Sequence, residues 1–135
     1  MFLITIPHTS PNFKKIYNKQ FEIYEGTFDN NIFTATKIYT QNKSSFKVKE
    51  GVKSFAYPTT TFSLSQVMQG TYYSSSPLVF DTFEETHIAK CFLLNKLREF
   101  CLRHIASLKA KVEKDCPDVS SMLNELKDKH PEVFI

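Results

Sequence analysis

After Pro77 the chain runs without a glycine or a proline to Asp115, and that uninterrupted stretch decides what the rest can be. It opens Ser-Pro-Leu-Val-Phe-Asp-Thr-Phe-Glu-Glu-Thr-His at residues 76 to 87. Leu78-Val79-Phe80 reads as a short extended segment. It breaks at Asp81-Thr82, whose side chains can accept hydrogen bonds from the orphan N–H groups of a helix start. Glu84 and Glu85 stand three residues beyond Asp81 and Thr82, so either pair can close a capping box. A long helix is expected over 82–115. With Leu97 at its centre, the face drawn at 100° per residue collects Phe83, Leu93, Leu94, Phe100, Cys101, Ile105, Leu108 and Val112, a stripe wide enough to lie on a sheet. Ile88, Cys91, Phe92 and Leu102 fall roughly opposite, so the middle of the helix needs a second cover. Pro117 followed by Val119, Met122, Leu123 and Leu126 predicts a shorter helix over 117–129, stopped by His130-Pro131 and folded back through Asp115-Cys116-Pro117. Ile88, Phe92 and Leu102 are expected to meet that helix or a second subunit. The apolar tail Val133-Phe134-Ile135 is expected to pack on the sheet or on another subunit.

The first 80 residues read as β structure. Phe2 to Ile6 is a candidate strand closed by Pro7, while Phe13 to Gln20 forms a helical turn or a loop. The clearest β signal is Phe21 to Phe28, then Asp29-Asn30-Asn31, then Ile32 to Thr40: two β-rich runs joined by residues that tolerate positive φ. Strict alternation puts Ile32, Thr34, Thr36, Ile38 and Thr40 on one face of the second run and Phe33, Ala35, Lys37 and Tyr39 on the other. Neither face is plainly polar, so this strand is either covered on both sides for part of its length or carries a partner, with Phe33 and Tyr39 as candidate contacts. Phe46-Lys47-Val48-Lys49 alternates cleanly, Glu50-Gly51 is expected to turn the chain, and Val52 to Tyr57 is another candidate strand. From Thr59 to Ser76 the Ser, Thr and Tyr content permits strands without fixing a register, although Phe62, Leu64, Val67, Met68, Tyr72 and Tyr73 all need cover.

A chain of 135 residues suits one domain, 1–135, with a β-rich part at 1–80 and a helical hairpin at 81–135. The net charge of +3 is unevenly spread. Residues 1–80 hold eight lysines against Glu22, Glu25, Asp29 and Glu50, whereas nine basic groups face ten acids from 81 onward. The first part could favour phosphate or an acidic protein surface, yet it falls short of an ordinary nucleic-acid-binding module. Cys91, Cys101 and Cys116 give an odd count without paired spacing, which points to a reducing, intracellular compartment. No stretch approaches the ~20 apolar residues of a membrane helix, and Phe2 to Ile6 is too short for a signal sequence, so no membrane partner is expected.

The search for chemistry returns little. His8-Thr9-Ser10 matches the H-x-[ST] element that two-histidine phosphoesterases use in pairs, but the chain has one copy, and base and acid need one histidine each. His87 with Cys91, and Cys101 with His104, stand at spacings by which a helix presents two ligands to a metal. The pairs are about 20 Å apart along the helix, too far for one ion, and small core cysteines beside marginal histidines are the plainer reading. There is no nucleophile elbow, P-loop, dinucleotide-binding glycine motif or H-E-x-x-H, and Glu84 and Glu85 are explained by capping and the helix dipole. No enzyme activity and no cofactor are expected. Lys37, Lys43, Lys47, Lys49 and Lys53, interleaved with Tyr39, Phe46, Phe55 and Tyr57, could offer cations to phosphate and rings to bases. Against that, no arginine precedes Arg98, and lysines on a hairpin edge also guard against aggregation.

The Asn/Lys/Phe/Tyr-rich, glycine-poor, tryptophan-free composition and the phrase Leu78-Val79-Phe80-Asp81-Thr82-Phe83-Glu84-Glu85 resemble the small accessory proteins of large tailed bacteriophages. That resemblance implies a non-catalytic protein that binds and inhibits or redirects a host or defence protein in the host cytoplasm. Tyr24-Glu25-Gly26-Thr27-Phe28 also looks like part of a small SH3-type barrel. The expected fold is α+β, an N-terminal antiparallel sheet or small open barrel packed against a long helix and a shorter C-terminal one. Protein binding or self-association is expected to fall on Ile88, Phe92 and Leu102, or on the strand bearing Phe33 and Tyr39. Nucleic-acid binding through the lysines at 37–53 is the alternative, and a self-assembling structural or regulatory protein is the third.

Overall fold

The structure, a computed structural model, describes residues 1–5, 22–42, 45–55, 63–70, 77–104, 109–110 and 120–131. Five strands, β1 (Phe2–Ile4), β2 (Glu22–Asp29), β3 (Ile32–Asn42), β4 (Ser45–Phe55) and β5 (Leu78–Phe80), form one sheet in the order β4-β3-β2-β1-β5. Every pairing is antiparallel. Among the described residues it is accompanied by helices α1 (Leu64–Met68), α2 (Phe83–His104) and α3 (Ser120–Lys129). This is the α+β arrangement of sheet, long helix and shorter C-terminal helix, with the sheet open.

The local signals explain the elements. Asn30 and Asn31 both have positive φ, 51° and 61°, which matches the twist of a two-residue hairpin between β2 and β3. At the start of α2 the Glu85 N–H donates to Thr82 Oγ1 at 3.2 Å and the Thr82 hydroxyl donates to the Glu85 carboxylate at 2.9 Å. Thr86, fully buried, donates its hydroxyl to the Thr82 carbonyl at 2.7 Å. Residues 105–108 and 111–119 lie outside the described residues, as do His8, the 13–20 segment, Tyr57 and the tail at 132–135.

Two expectations for the sheet are corrected. Glu50-Gly51 does not turn the chain: β4 runs through it, and the irregularity is absorbed by the pairing, in which Lys37 faces Glu50 while Ala35 faces Lys53. The second correction concerns β3. Gly26 pairs with Ala35 and Glu25 with Lys37, so Thr36 is an extra residue, a bulge that reverses the alternation beyond it. Phe33 and Ala35 therefore share a face with Ile38, and Tyr39 lies on the other, against the strict alternation expected from the sequence.

The core is built on both sheet faces. One carries Ile4, Ile23, Leu78 and Phe80, packed with Leu64 and Val67 of α1, Ile88, Ala89, Cys91, Leu93 and Leu94 of α2, and Leu123 and Leu126 of α3. The other carries Leu3, Tyr24, Phe33, Ala35 and Val79, all 0% exposed. The second cover of α2 thus comes from α1 as well as α3. Helix α1 falls in the stretch whose composition permits strands; its Ser63–Gln66 capping box, with Gln66 N–H donating to Ser63 Oγ at 3.3 Å, sits inside that Ser/Thr-rich run. Burial along α2 is dense from Ile88 to Leu94 and then thins, which leaves Phe100 48% exposed instead of on the core stripe.

Gly26 marks the tightest backbone approach. A Cβ there would stand 1.9 Å from the Thr34 carbonyl oxygen and 2.8 Å from the Ala35 Cα, both main chain of the neighbouring strand. Gly26→Ala therefore forces β2 from β3 at the bulge. It is expected to lower stability by about 3 kcal/mol or more, measured as the shift of a urea unfolding midpoint. A loss under about 1 kcal/mol would show that the strands are not held this closely.

Candidate functional site

Among the described strands β4 has a neighbour on one side alone, so its outer edge carries a row of backbone donors and acceptors. Its alternation is regular. Lys47, Lys49 and Lys53 lie opposite Thr40, Ile38 and Ala35 on the face of the second core cluster. Phe46, Val48, Glu50, Val52 and Ser54 occupy the helix-bearing face. At the Phe46 end that face is covered, because the Phe83 ring of α2 lies 5.0 Å from Tyr39 and 5.2 Å from Phe46. Further along the cover ends: Val48 is 55% and Val52 80% exposed, and Ile32 beside the hairpin is 46% exposed. Val48 and Val52 belong to β4 and Ile32 opens β3, so the large exposed apolar side chains of the described sheet lie along β4 and at the hairpin end of its neighbour.

The residues singled out from sequence are distributed as follows. Ile88 is buried in the helix-side core with Leu123 and Leu126, and Phe92 packs against that core while half-buried. Leu102 is half-buried near the end of α2. Phe33 is fully buried, and Tyr39 is enclosed by Phe83 and donates its hydroxyl to Glu25 at 2.7 Å. The contacts of Ile88 and Phe33 are thus taken up inside the chain, and among the described residues the large exposed apolar side chains are Ile32, Val48, Val52 and Phe100. The regular alternation of 46–49 points to Val48 and Val52 once Glu50-Gly51 is seen to continue the strand.

The lysines are split. Lys37 points to the helix-bearing face, in register between Glu25 and Glu50, while Lys47, Lys49 and Lys53 point to the opposite one. Lys43 lies outside the described residues. The rings expected to stack on bases are engaged internally. Lys53 Nζ lies 5.2 Å from the centres of both Tyr24 and Phe55, and those rings meet edge-to-face at 4.8 Å. Phe46 packs on Phe83 and, at 5.0 Å, on His87. Tyr24 also donates to the Glu22 carboxylate, and burial together with that carboxylate raises its phenol pKa.

A second feature lies between α2 and α3, where Phe83, Glu84, His87, Met122, Glu125, Leu126 and Lys129 line a groove of about 270 Å³. His130 and Glu84 close its rim at 2.9 Å, and that hydrogen bond lowers the Glu84 pKa. His87 Nε2 is buried without a hydrogen-bond partner; burial, then the neighbouring Lys90 charge, bring its pKa to about 4. Lys90 is 1% exposed, its Nζ also unpartnered and 5.8 Å from the Phe46 ring centre, and burial lowers its pKa to about 7. Burial pushes the Cys91 thiol up to about 11, away from the thiolate a nucleophile needs. These groups are desolvated by the core. Among the described residues no group of three His, Cys, Asp or Glu side chains could hold a metal, and no helix is long and apolar enough to cross a membrane. Comparison of the chain with protein-family models, curated proteins and solved structures finds no match.

Lys90 has a measurable consequence. Its folded pKa of about 7 lies below the unfolded value of 10.5, so between those limits the unfolded chain binds more protons and stability rises with pH. Below pH 7 both states are charged and the desolvation penalty is fully present. From pH 7 to 8.5 the wild type should gain up to about 2 kcal/mol from this residue, at pH values below the range where Cys91 acts in the opposite sense. Lys90→Met should be more stable than wild type at pH 7 and nearly flat over the same interval in urea unfolding. Equal slopes for the two proteins would contradict a buried, unpartnered amine.

Proposed function

We propose that this chain is a non-catalytic binding protein whose contact surface is the β4 edge, and that it acts in the cytoplasm of a bacterial host on a host or defence protein. The observation that carries the binding reading is the eleven-residue β4, whose outer edge has no neighbour among the described strands and on which Val48 and Val52 stand 55% and 80% exposed. Apolar side chains on an unpaired edge expose a sheet to unwanted association unless a partner takes them. The assignment to a host-directed phage protein is supported by the compositional resemblance to phage accessory proteins.

Nucleic-acid binding through the same lysines is less well supported. The cations are divided between the two sheet faces and the neighbouring rings are packed inside the fold. Bases would have to displace those ring contacts in order to stack.

The test is affinity capture from bacterial lysate with wild type and with the double variant Val48→Asp, Val52→Asp, both substitutions at exposed positions. Wild type should retain a defined protein that the variant recovers at least about tenfold less well. Nothing enriched over control, or equal recovery by both, would overturn the reading.

A further inference from the structure

We infer that β4 is a strand-addition edge, and that its partner is an extended protein segment alternating acidic and apolar side chains; the inference rests on the protein-binding reading above. An added strand extends the sheet through main-chain hydrogen bonds and is selected by the side chains that alternate along the edge. Here the two faces of the edge differ in chemistry. Lys47 and Lys49, both exposed, project to one face, with Lys53 further along the same row. Val48 and Val52 project to the other, with Glu50 between them. A residue paired across antiparallel strands points to the same face as its partner, and opposite charges there stabilise the pairing. The complementary segment therefore places Asp or Glu beside Lys47 and Lys49 and apolar residues beside Val48 and Val52, with period two.

The same pattern selects against a second copy of this chain. Two β4 strands joined edge to edge about a two-fold axis normal to the sheet bring lysine row against lysine row on one face. On the other, a register centred on Glu50 brings it toward its own counterpart. Like charges paired across strands are destabilising. The free edge is thus guarded against self-association by the charges that recruit an acidic partner. The register fixes the reach of the site as well. Phe46 is enclosed by Phe83 and His87, so the added segment runs from beside Lys47 toward Lys53.

The probe is a terminally blocked decapeptide of alternating Glu and Val, titrated into the full-length ¹⁵N-labelled protein. Controls are an alternating Lys/Val peptide, the Glu/Val peptide with a central proline, and a single-stranded oligothymidine. The Glu/Val peptide should shift β4 amide resonances and bind at least about tenfold more tightly than either control peptide, with an affinity that falls as salt is raised. Lys47→Glu with Lys49→Glu should lose at least about tenfold toward the Glu/Val peptide and gain toward the Lys/Val peptide, a reversal that a merely damaged fold cannot produce. Equal binding of the acidic and basic peptides, tolerance of the proline, shifts centred away from β4, or tighter binding of the oligothymidine would each overturn the inference. Lysate capture that depends on Val48 and Val52, without any peptide binding, would overturn the alternating-acid chemistry and leave the protein-binding reading standing. Failure of both would remove both.

Discussion

The arrangement depends on where one ring sits. Phe83, the first residue of α2, meets Phe2 of β1 at 5.7 Å, Tyr39 of β3 at 5.0 Å and Phe46 of β4 at 5.2 Å. Thr82 and Glu85 fix the helix start one residue away, so the cap and the aromatic anchor act at the same point. From that point α2 carries Ile88 to Leu94 into the helix-side core. His87 and Lys90 are drawn in with them, which accounts for a histidine and a lysine buried without hydrogen-bond partners. The anchor also limits the cover. It holds the helix over the Phe46 end of β4 and leaves Val48 and Val52 uncovered.

The second constraint is the bulge at Thr36, set against Gly26. Because β2 and β3 approach there too closely for any side chain on residue 26, the extra residue of β3 has a fixed place, and the faces of β3 exchange across it. Phe33 and Ala35 then fill one side of the sheet while Tyr39 meets Phe83 on the other. Strand β4 keeps its own alternation beside this irregularity. Its three lysines therefore stay on one face, while the other carries Val48 and Val52 with Glu50 between them.

Much of the frame was legible because it rests on local signals. Asn30-Asn31 supplies two residues that accept positive φ, Thr82 with Glu85 supplies a cap, and the spacing of Leu123 and Leu126 supplies a helix face. What failed were readings that depend on neighbours. Gly51 looks like a turn residue, yet a Cβ there would meet nothing within 4 Å, and β4 passes straight through it. Thr36 is indistinguishable from any other strand threonine until its partner strands are in place. Helix α1 was hidden by composition, its Ser63-x-x-Gln66 cap lying among serines and threonines that equally permit strands. The exposure of Val48 and Val52 is hidden from sequence reasoning for a related reason. The apolar surplus of α2 is visible there, and so is α3, which absorbs part of it, whereas α1 is not.

Among the described residues β4 presents an unpaired edge, while the Phe83 anchor ties α2 to the rest of the sheet. Amide hydrogen exchange of the free protein, residue by residue, tests this most directly. In β4 the amides bonded to β3 should be protected and the alternate, outward-pointing amides between Ser45 and Phe55 should exchange rapidly, while β1, β2 and the Ile88–Leu94 part of α2 remain protected together. Uniform protection along β4 would mean that the edge is already occupied, and would contradict the account.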